Sequence, residues 1–263
     1  MREPVQWCQD GTPRSLRFDD VYRTRFAALS QSSQVYLGGC RLPHVWQGRQ
    51  RFIVLETGFG LGLNFLTTWA AWEADRQSCA ELHFVSIEGF PVASADILRS
   101  SAALGGDLPA GALTALGALS EQLAQAWAGL RSGWQTLEFA RGRVQLTLAV
   151  GPVMSMLEQW TGIADAVYLD GFSPAKNPDM WSDDVLAQVA ARCRNGTTLA
   201  SFSTQRRLRE QLARLGFSVQ RRPGVPPKRH RLEAVFGAVA EKPLVPVPGA
   251  GERSAAIGHN PPQ

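Results

Sequence analysis

The chain has 263 residues, 44% hydrophobic and 19% charged, a balance that allows a single substantial core and excludes disordered and fibrous classes. No window approaches the ~18 uninterrupted apolar residues of a membrane span. The start, "MREPVQWCQDGTP", has no apolar h-region or cleavage signature, so a cytoplasmic location is expected.

Cys8, Cys40, Cys79 and Cys193 lie far apart, and the four histidines show no ligand spacing, so reduced thiols and no metal are expected. The net charge of +4 is unevenly placed. Between Arg206 and Arg231 there are nine Lys or Arg against one acid, Glu210, which leaves the remainder slightly negative. Basicity confined to one segment suits a polyanion-facing edge; the plainer alternative is a solvated helix face, "RRLREQLARLGF".

In chain order, residues 1–50, with "FDDVY" and "VYLGGC", do not follow the pattern of the rest and are expected to form a small β-rich appendage. From 51 to 240 strand-like and helix-like segments alternate, the mark of an α/β domain with a mostly parallel sheet. Strands are expected at 51–56, 82–88, 144–150, 165–170 and 197–203, each short, apolar and rich in β-branched or aromatic residues. Helices are expected at 64–76, 92–103, 112–130, 153–160, 182–193 and 204–215. Two further strands, 218–223 and 232–240, would close the sheet as a C-terminal antiparallel hairpin. Residues 241–263, rich in Pro, Gly and Ala, read as a disordered tail.

"VLETGFGLGLNF" sets Gly58, Gly60 and Gly62 between a strand and a helix. Such a turn lets a ligand approach backbone and a helix N-terminus. The dinucleotide spacing G-x-G-x-x-G fails at Leu63 or Phe65, so a nicotinamide or flavin dinucleotide is disfavoured. The form E-x-G-x-G-x-G resembles the S-adenosyl-L-methionine (SAM) loop of Rossmann-like methyltransferases. In that class an acid before the loop, here Glu56, lies near the methionine end. The acid closing the next strand, here Glu88, meets the ribose hydroxyls.

Longer stretches carry a more specific resemblance: "GTPRSLRFDDVY", "VYLGG", "GFGLGLNFL", "LHFVSIEGFP", "LDGFSPAKNPDMW", "GTTLASFS" and "KRHRLEAVFG". Over nearly its whole length the chain resembles the tRNA 5-methylaminomethyl-2-thiouridine methyltransferases, MnmD and the methyltransferase half of bifunctional MnmC. The resemblance implies a SAM-dependent methyltransferase acting on the exocyclic amine of 5-aminomethyl-2-thiouridine at the tRNA wobble position. The tRNA anticodon arm would be its partner, and a separate FAD-dependent oxidoreductase would act upstream.

It also implies Asp170 as the active-site carboxylate. Cofactor contacts would fall on Glu56, Gly58, Gly60, Gly62, Asn64, Glu88 and Gly151. Phe172, Lys176, Lys228, Arg229 and Arg231 are the expected substrate contacts, by stacking on an unstacked base or meeting phosphates. A carboxylate beside an amine orients it but also stabilises its ammonium form, so positioning is the primary role expected of Asp170 and general base a secondary one.

Two departures from the family pattern stand out. Gly151-Pro152 replaces a Gly-Asp whose acid meets adenine, and Arg23-Thr24 replaces an aromatic-serine pair after "DDVY". The tail faintly resembles the first strand of a second Rossmann unit. The alternatives carried forward are a methyltransferase for another amine and a tRNA-binding protein that has lost cofactor affinity.

Overall fold

The computed structural model describes residues 3–24, 28–104 and 110–237, so the expected tail 241–263 and the end of the last expected strand, 238–240, lie outside the described residues. Strands β1 (Val5–Trp7), β2 (Pro13–Ser15) and β3 (Asp20–Val21) form a small antiparallel sheet. It docks on the main domain through the Trp7 indole, which donates to Asp96 at 2.8 Å, and through the Arg99 guanidinium, 4.5 Å above the Trp7 ring. The appendage is only partly β. Helix α1 (Ala28–Gln31) runs directly into a π-helical segment, Ser32–Gly38, so the expectation of strand at "VYLGGC" is corrected. Ser32, Val35, Tyr36 and Leu37 are buried there, which a helical pitch permits and a one-sided strand would not.

The main sheet has eight strands in the order β10-β11-β9-β8-β4-β5-β7-β6. These are β4 (Arg51–Thr57), β5 (Glu81–Glu88), β6 (Gly133–Phe139), β7 (Val144–Val150), β8 (Ala164–Leu169), β9 (Cys193–Ser201), β10 (Phe217–Pro223) and β11 (His230–Phe236). The five central strands, β9, β8, β4, β5 and β7, are parallel. β10 and β11 form the expected antiparallel hairpin, whose β11 pairs with β9. β6 is an antiparallel edge strand that the alternation did not announce, since "GWQTLEF" is half-exposed and lacks a continuous apolar run.

Helices α2 (Leu63–Ala74), α3 (Ser94–Ala102), α4 (Ala110–Ala126), α5 (Val153–Gln159), α6 (Asp183–Ala191) and α7 (Arg206–Arg214) fill the crossovers. One core cluster packs the π-helical segment, α2 and α4 against the sheet around Trp46, Phe65, Trp69, Phe84 and Tyr168. The other packs α5, α6 and α7 on the opposite face around Leu157, Val167, Leu186, Leu199 and Leu212. Full burial of such side chains is worth about 1.5–3 kcal/mol each, so burial on both faces explains why β4 and β8 read as uninterrupted apolar runs.

Chain direction across the sheet reverses between β4 and β8. From β4 the chain steps outward to β5 and β7, then returns to the other side of β4 as β8. Their carboxyl ends lie side by side, Thr57 opposite Leu169. Open α/β sheets bind ligands at such a reversal, and the glycine loop and Asp170 both emerge there.

Candidate active site

A cavity of about 730 Å³ opens above these strand ends, within the usual range for a cofactor or nucleotide pocket. Its lining includes Gly58, Gly60, Asn64, Glu88, Asp170 and Phe172 from the expected site.

Asp170 is fixed at several atoms. The Thr57 hydroxyl donates to its carbonyl oxygen at 2.8 Å, and the Gly171 N–H donates to its Oδ1 at 2.8 Å. Asn64, in the first turn of α2, donates from one Nδ2 to Asp170 Oδ2 at 2.7 Å and to Glu56 Oε1 at 3.0 Å. An amide nitrogen has two protons, one for each carboxylate. The Ser32 hydroxyl donates to Asn64 Oδ1 at 2.8 Å and the Ser86 hydroxyl to Glu56 Oε2 at 2.7 Å, so the polar chain continues at both ends. The Asn64 amide is thereby oriented by Ser32, from the π-helical segment.

Burial raises both carboxyl groups. For Asp170 desolvation outweighs the hydrogen bonds that favour its charged form. Glu56 is raised well above the carboxylate range, by burial first, with the charges of Asp170 and Glu88 adding. Glu56 is 1% exposed and is not among the residues lining the cavity, so it reaches the site through Asn64. The buried Tyr36 hydroxyl stands within reach of the Asp170 carboxylate, favouring its charged form, and burial with that neighbouring charge pushes the Tyr36 phenol well up.

The glycine loop meets the Asp170 loop backbone to backbone. A β-carbon at Gly58 would fall 2.9 Å from the Gly171 Cα, and Gly58 has a φ of 81°, in the left-handed region. Gly62, with φ 75°, is the N-cap of α2. Both oxygens of Glu88 accept from backbone, Oε2 from Gly60 N–H at 2.9 Å and Oε1 from Phe90 N–H at 2.8 Å. A carboxylate has about four acceptor positions, so this tether leaves capacity for a ligand hydroxyl. Gly151 stands behind the lining, its N–H donating to Glu88 O at 3.1 Å, whereas Pro152, Val153 and Met154 reach the cavity.

On the other wall Phe172 stacks on Phe18, with centroids 4.8 Å apart, and meets Tyr22 edge-on at 5.0 Å. Asp20 Oδ2 accepts from the Ser173 N–H at 2.9 Å. Lys176 is drawn away from the cavity to Asp19, 2.8 Å from its carboxylate. Lys176 and Arg14 together hold the Asp19 carboxyl down at about 2. Lys228 lines the cavity with its ammonium 5.1 Å above the Phe202 ring. Arg229 and Arg231 are not among the lining residues, and Arg231 is occupied by Glu233 at 2.8 Å and by Pro223 O at 3.0 Å.

On this wall Phe172 and Lys228 are expected contacts, whereas the residues supplied by the N-terminal segment are not. Phe18, Asp20, Tyr22 and Tyr36 belong to the motifs "RFDDVY" and "VYLGG", and acids beside aromatics in an otherwise irregular segment were the available signal.

Residues 114–236 match a family described as S-adenosyl-L-methionine-dependent methyltransferase. The tRNA 5-methylaminomethyl-2-thiouridine biosynthesis bifunctional protein MnmC of Acidovorax sp. (strain JS42) is 44% identical over 98% of this chain and 41% of its own length. The protein of that name from Paracidovorax citrulli is 48% identical over 94% of this chain and 37% of its own. The chain therefore spans about two fifths of the length of these relatives. In fold, MNMC2 from Aquifex aeolicus aligns over 91% of this chain and 72% of its own, with a TM-score of 0.67 at 23% identity. The family model takes in the Asp170 strand and the relatives match nearly the whole chain, and the chain belongs to the S-adenosyl-L-methionine-dependent methyltransferase family of the MnmC proteins.

Proposed function

We propose that this chain transfers the methyl group of SAM to the exocyclic amine of 5-aminomethyl-2-thiouridine at the wobble position of tRNA. The observation that carries the reading is the Asp170 carboxylate, anchored by Asn64 and Gly171 at the wall of the cavity that the glycine loop faces. The names of the relatives, which specify tRNA 5-methylaminomethyl-2-thiouridine biosynthesis, support the substrate.

The residues fit the cofactor. Gly58 and Gly60 leave backbone exposed to the cavity, and Glu88 has acceptor capacity left for a ribose hydroxyl. Pro152, Val153 and Met154 give the far end an apolar surface without the acid of the family pattern. Bound SAM supplies an electrophilic methyl group on a sulfonium.

An aliphatic amine, with lysine at ~10.4 as a guide, arrives largely protonated. Asp170 accepts a hydrogen bond from it and directs its lone pair along the transfer axis, at the ~3–3.5 Å separation of a near-attack geometry. Burial makes Asp170 a stronger proton acceptor than an exposed carboxylate, so the proton released by the amine passes through it to water. Positioning is its primary contribution, because an ion pair with the ammonium opposes attack while the dry cavity and the sulfonium charge favour the neutral amine.

Phe172, in its aromatic stack with Phe18 and Tyr22, and Lys228 form the entrance for a uridine splayed from the anticodon loop. The Arg206–Arg231 segment faces the anticodon arm. An FAD-dependent oxidoreductase reaction that exposes the amine would act upstream, and the setting is the cytoplasm. Among the described residues no helix is long and apolar enough to cross a membrane.

The test is methyl transfer from labelled SAM to tRNA lacking the terminal methyl, beside equal amounts of a lysine-rich protein. Incorporation confined to the tRNA supports the reading; incorporation only into protein would replace it with another amine substrate.

A further inference from the structure

Arg23 lines the same cavity yet is only 7% exposed. Its Nε donates to the Ser100 hydroxyl at 3.0 Å, Nη2 to the Ser100 carbonyl at 3.1 Å, and Nη1 to the Thr24 carbonyl at 3.3 Å. All three acceptors are neutral. Among the described residues no carboxylate lies within ion-pair distance of it.

A guanidinium has five N–H donors and a permanent charge, and burying it without an anion is costly. The carbonyl end of α3, where Ser100 sits, offsets part of that cost through its partial negative charge. The charge itself is unmatched, and burial pushes the group down from its usual value with no opposing acid. Its neighbour Tyr22 packs over the glycine loop, where a β-carbon at Gly60 would lie 3.3 Å from the ring. Arg23 itself shares the cavity lining with Gly58 and Gly60 of that loop.

We propose that Arg23 is an anion-binding residue of this cavity and receives the carboxylate at the amino-acid end of the cofactor. The inference rests on the cofactor reading above. That carboxylate is the anionic group SAM carries, and the planar fork of an arginine matches it at two oxygens, which neutral acceptors alone do not require. The Arg23-Thr24 pair, where the resembling family has an aromatic-serine pair, becomes a difference in how the cofactor is held.

Calorimetric titration of the full chain with S-adenosylhomocysteine and with 5′-methylthioadenosine separates the terms, since the second ligand keeps the nucleoside and thioether but lacks the amino-acid end. Arg23→Gln is expected to weaken S-adenosylhomocysteine roughly ten- to hundredfold, the range of a charged hydrogen-bond pair, and to leave 5′-methylthioadenosine within about twofold. Should that variant fail to fold, Arg23→Lys, which keeps the charge but loses the fork, is expected to lose about tenfold for S-adenosylhomocysteine alone.

Equal weakening of both ligands would make Arg23 a packing residue and overturn the proposal. Unchanged binding of both would also overturn it, including the case where Arg23→Gln only raises KM for tRNA and flattens its salt dependence, the mark of an RNA phosphate contact. A native chain that binds neither ligand would remove the cofactor reading itself.

Discussion

Asn64 and Asp170 lie 106 positions apart in sequence, and the Asn64 Nδ2 donates to Asp170 Oδ2 at 2.7 Å, tying the first turn of α2 to the end of β8. The same nitrogen serves Glu56, so the amide separates a buried carboxyl group from a half-buried one. Asn64→Ala leaves both without their shared donor. The expected cost is about 1–3 kcal/mol of stability, the penalty for unsatisfied buried polar groups. A fall in kcat for methyl transfer larger than the loss of cofactor affinity is expected as well. Chemical denaturation and steady-state kinetics on one preparation check both, and an unchanged midpoint would break the link.

The raised pKa of Asp170 gives a pH signature. Burial lifts its native value above the unfolded one, so the native state binds more protons and stability falls as pH rises from the ordinary carboxylate range through the raised value. Asp170→Asn, neutral at every pH and of the same shape, removes this dependence. The variant is expected to melt above the native protein at pH 7–8, with the difference shrinking as pH falls below about 3, where Asp170 is protonated in both states. Differential scanning calorimetry at several pH values follows the convergence, and a gap that widens toward acid pH would reverse the assignment.

The sheet and the β8 carboxylate were legible in sequence because β4 and β8 are buried on both faces and spell nearly continuous apolar runs that end where polar function begins, while β5 and β7 keep apolar residues at their buried positions. β6 was not legible because an edge strand with one wetted face leaves a weak pattern. Ser32 and Tyr36 were hidden for another reason. Their segment is a short π-helix whose burial depends on tertiary contact with α2, and "SSQVYLG" has neither a clean strand nor a clean helix period. The pairing of Lys176 with Asp19 crosses 157 positions and carries no local signal.

Gly58 tests whether the two loops are fitted to each other. Gly58→Ala places a methyl group 2.9 Å from the Gly171 Cα, a backbone atom that cannot rotate away, at a φ of 81°. The expected loss is about 1–3 kcal/mol from overpacking, plus about 1 kcal/mol from the left-handed conformation, with cofactor binding reduced. Gly60→Ala meets the Tyr22 ring at 3.3 Å, which can yield, so its loss of stability should be smaller. Thermal unfolding of the two variants ranks them, and the opposite order would show that the loops are not in close fit.

The basic segment predicts salt-dependent tRNA binding. Lys228→Ala and Arg229→Ala are each expected to weaken tRNA binding across sequences and to lower the slope of log affinity against log salt by about one per lost phosphate contact. Arg231→Ala, whose side chain is occupied by Glu233, should change the slope less. Filter binding over a salt series reads the slopes, and identical slopes for all three variants would place the anticodon arm elsewhere.

Asp170 is proposed to serve methylation of the wobble amine. Nucleoside mass spectrometry of tRNA lacking the terminal methyl, after incubation with SAM and either the native chain or Asp170→Ala, tests it directly. The native chain is expected to yield 5-methylaminomethyl-2-thiouridine, and the variant to form it roughly 10²–10⁴-fold more slowly. Equal wobble methylation by both proteins would contradict it.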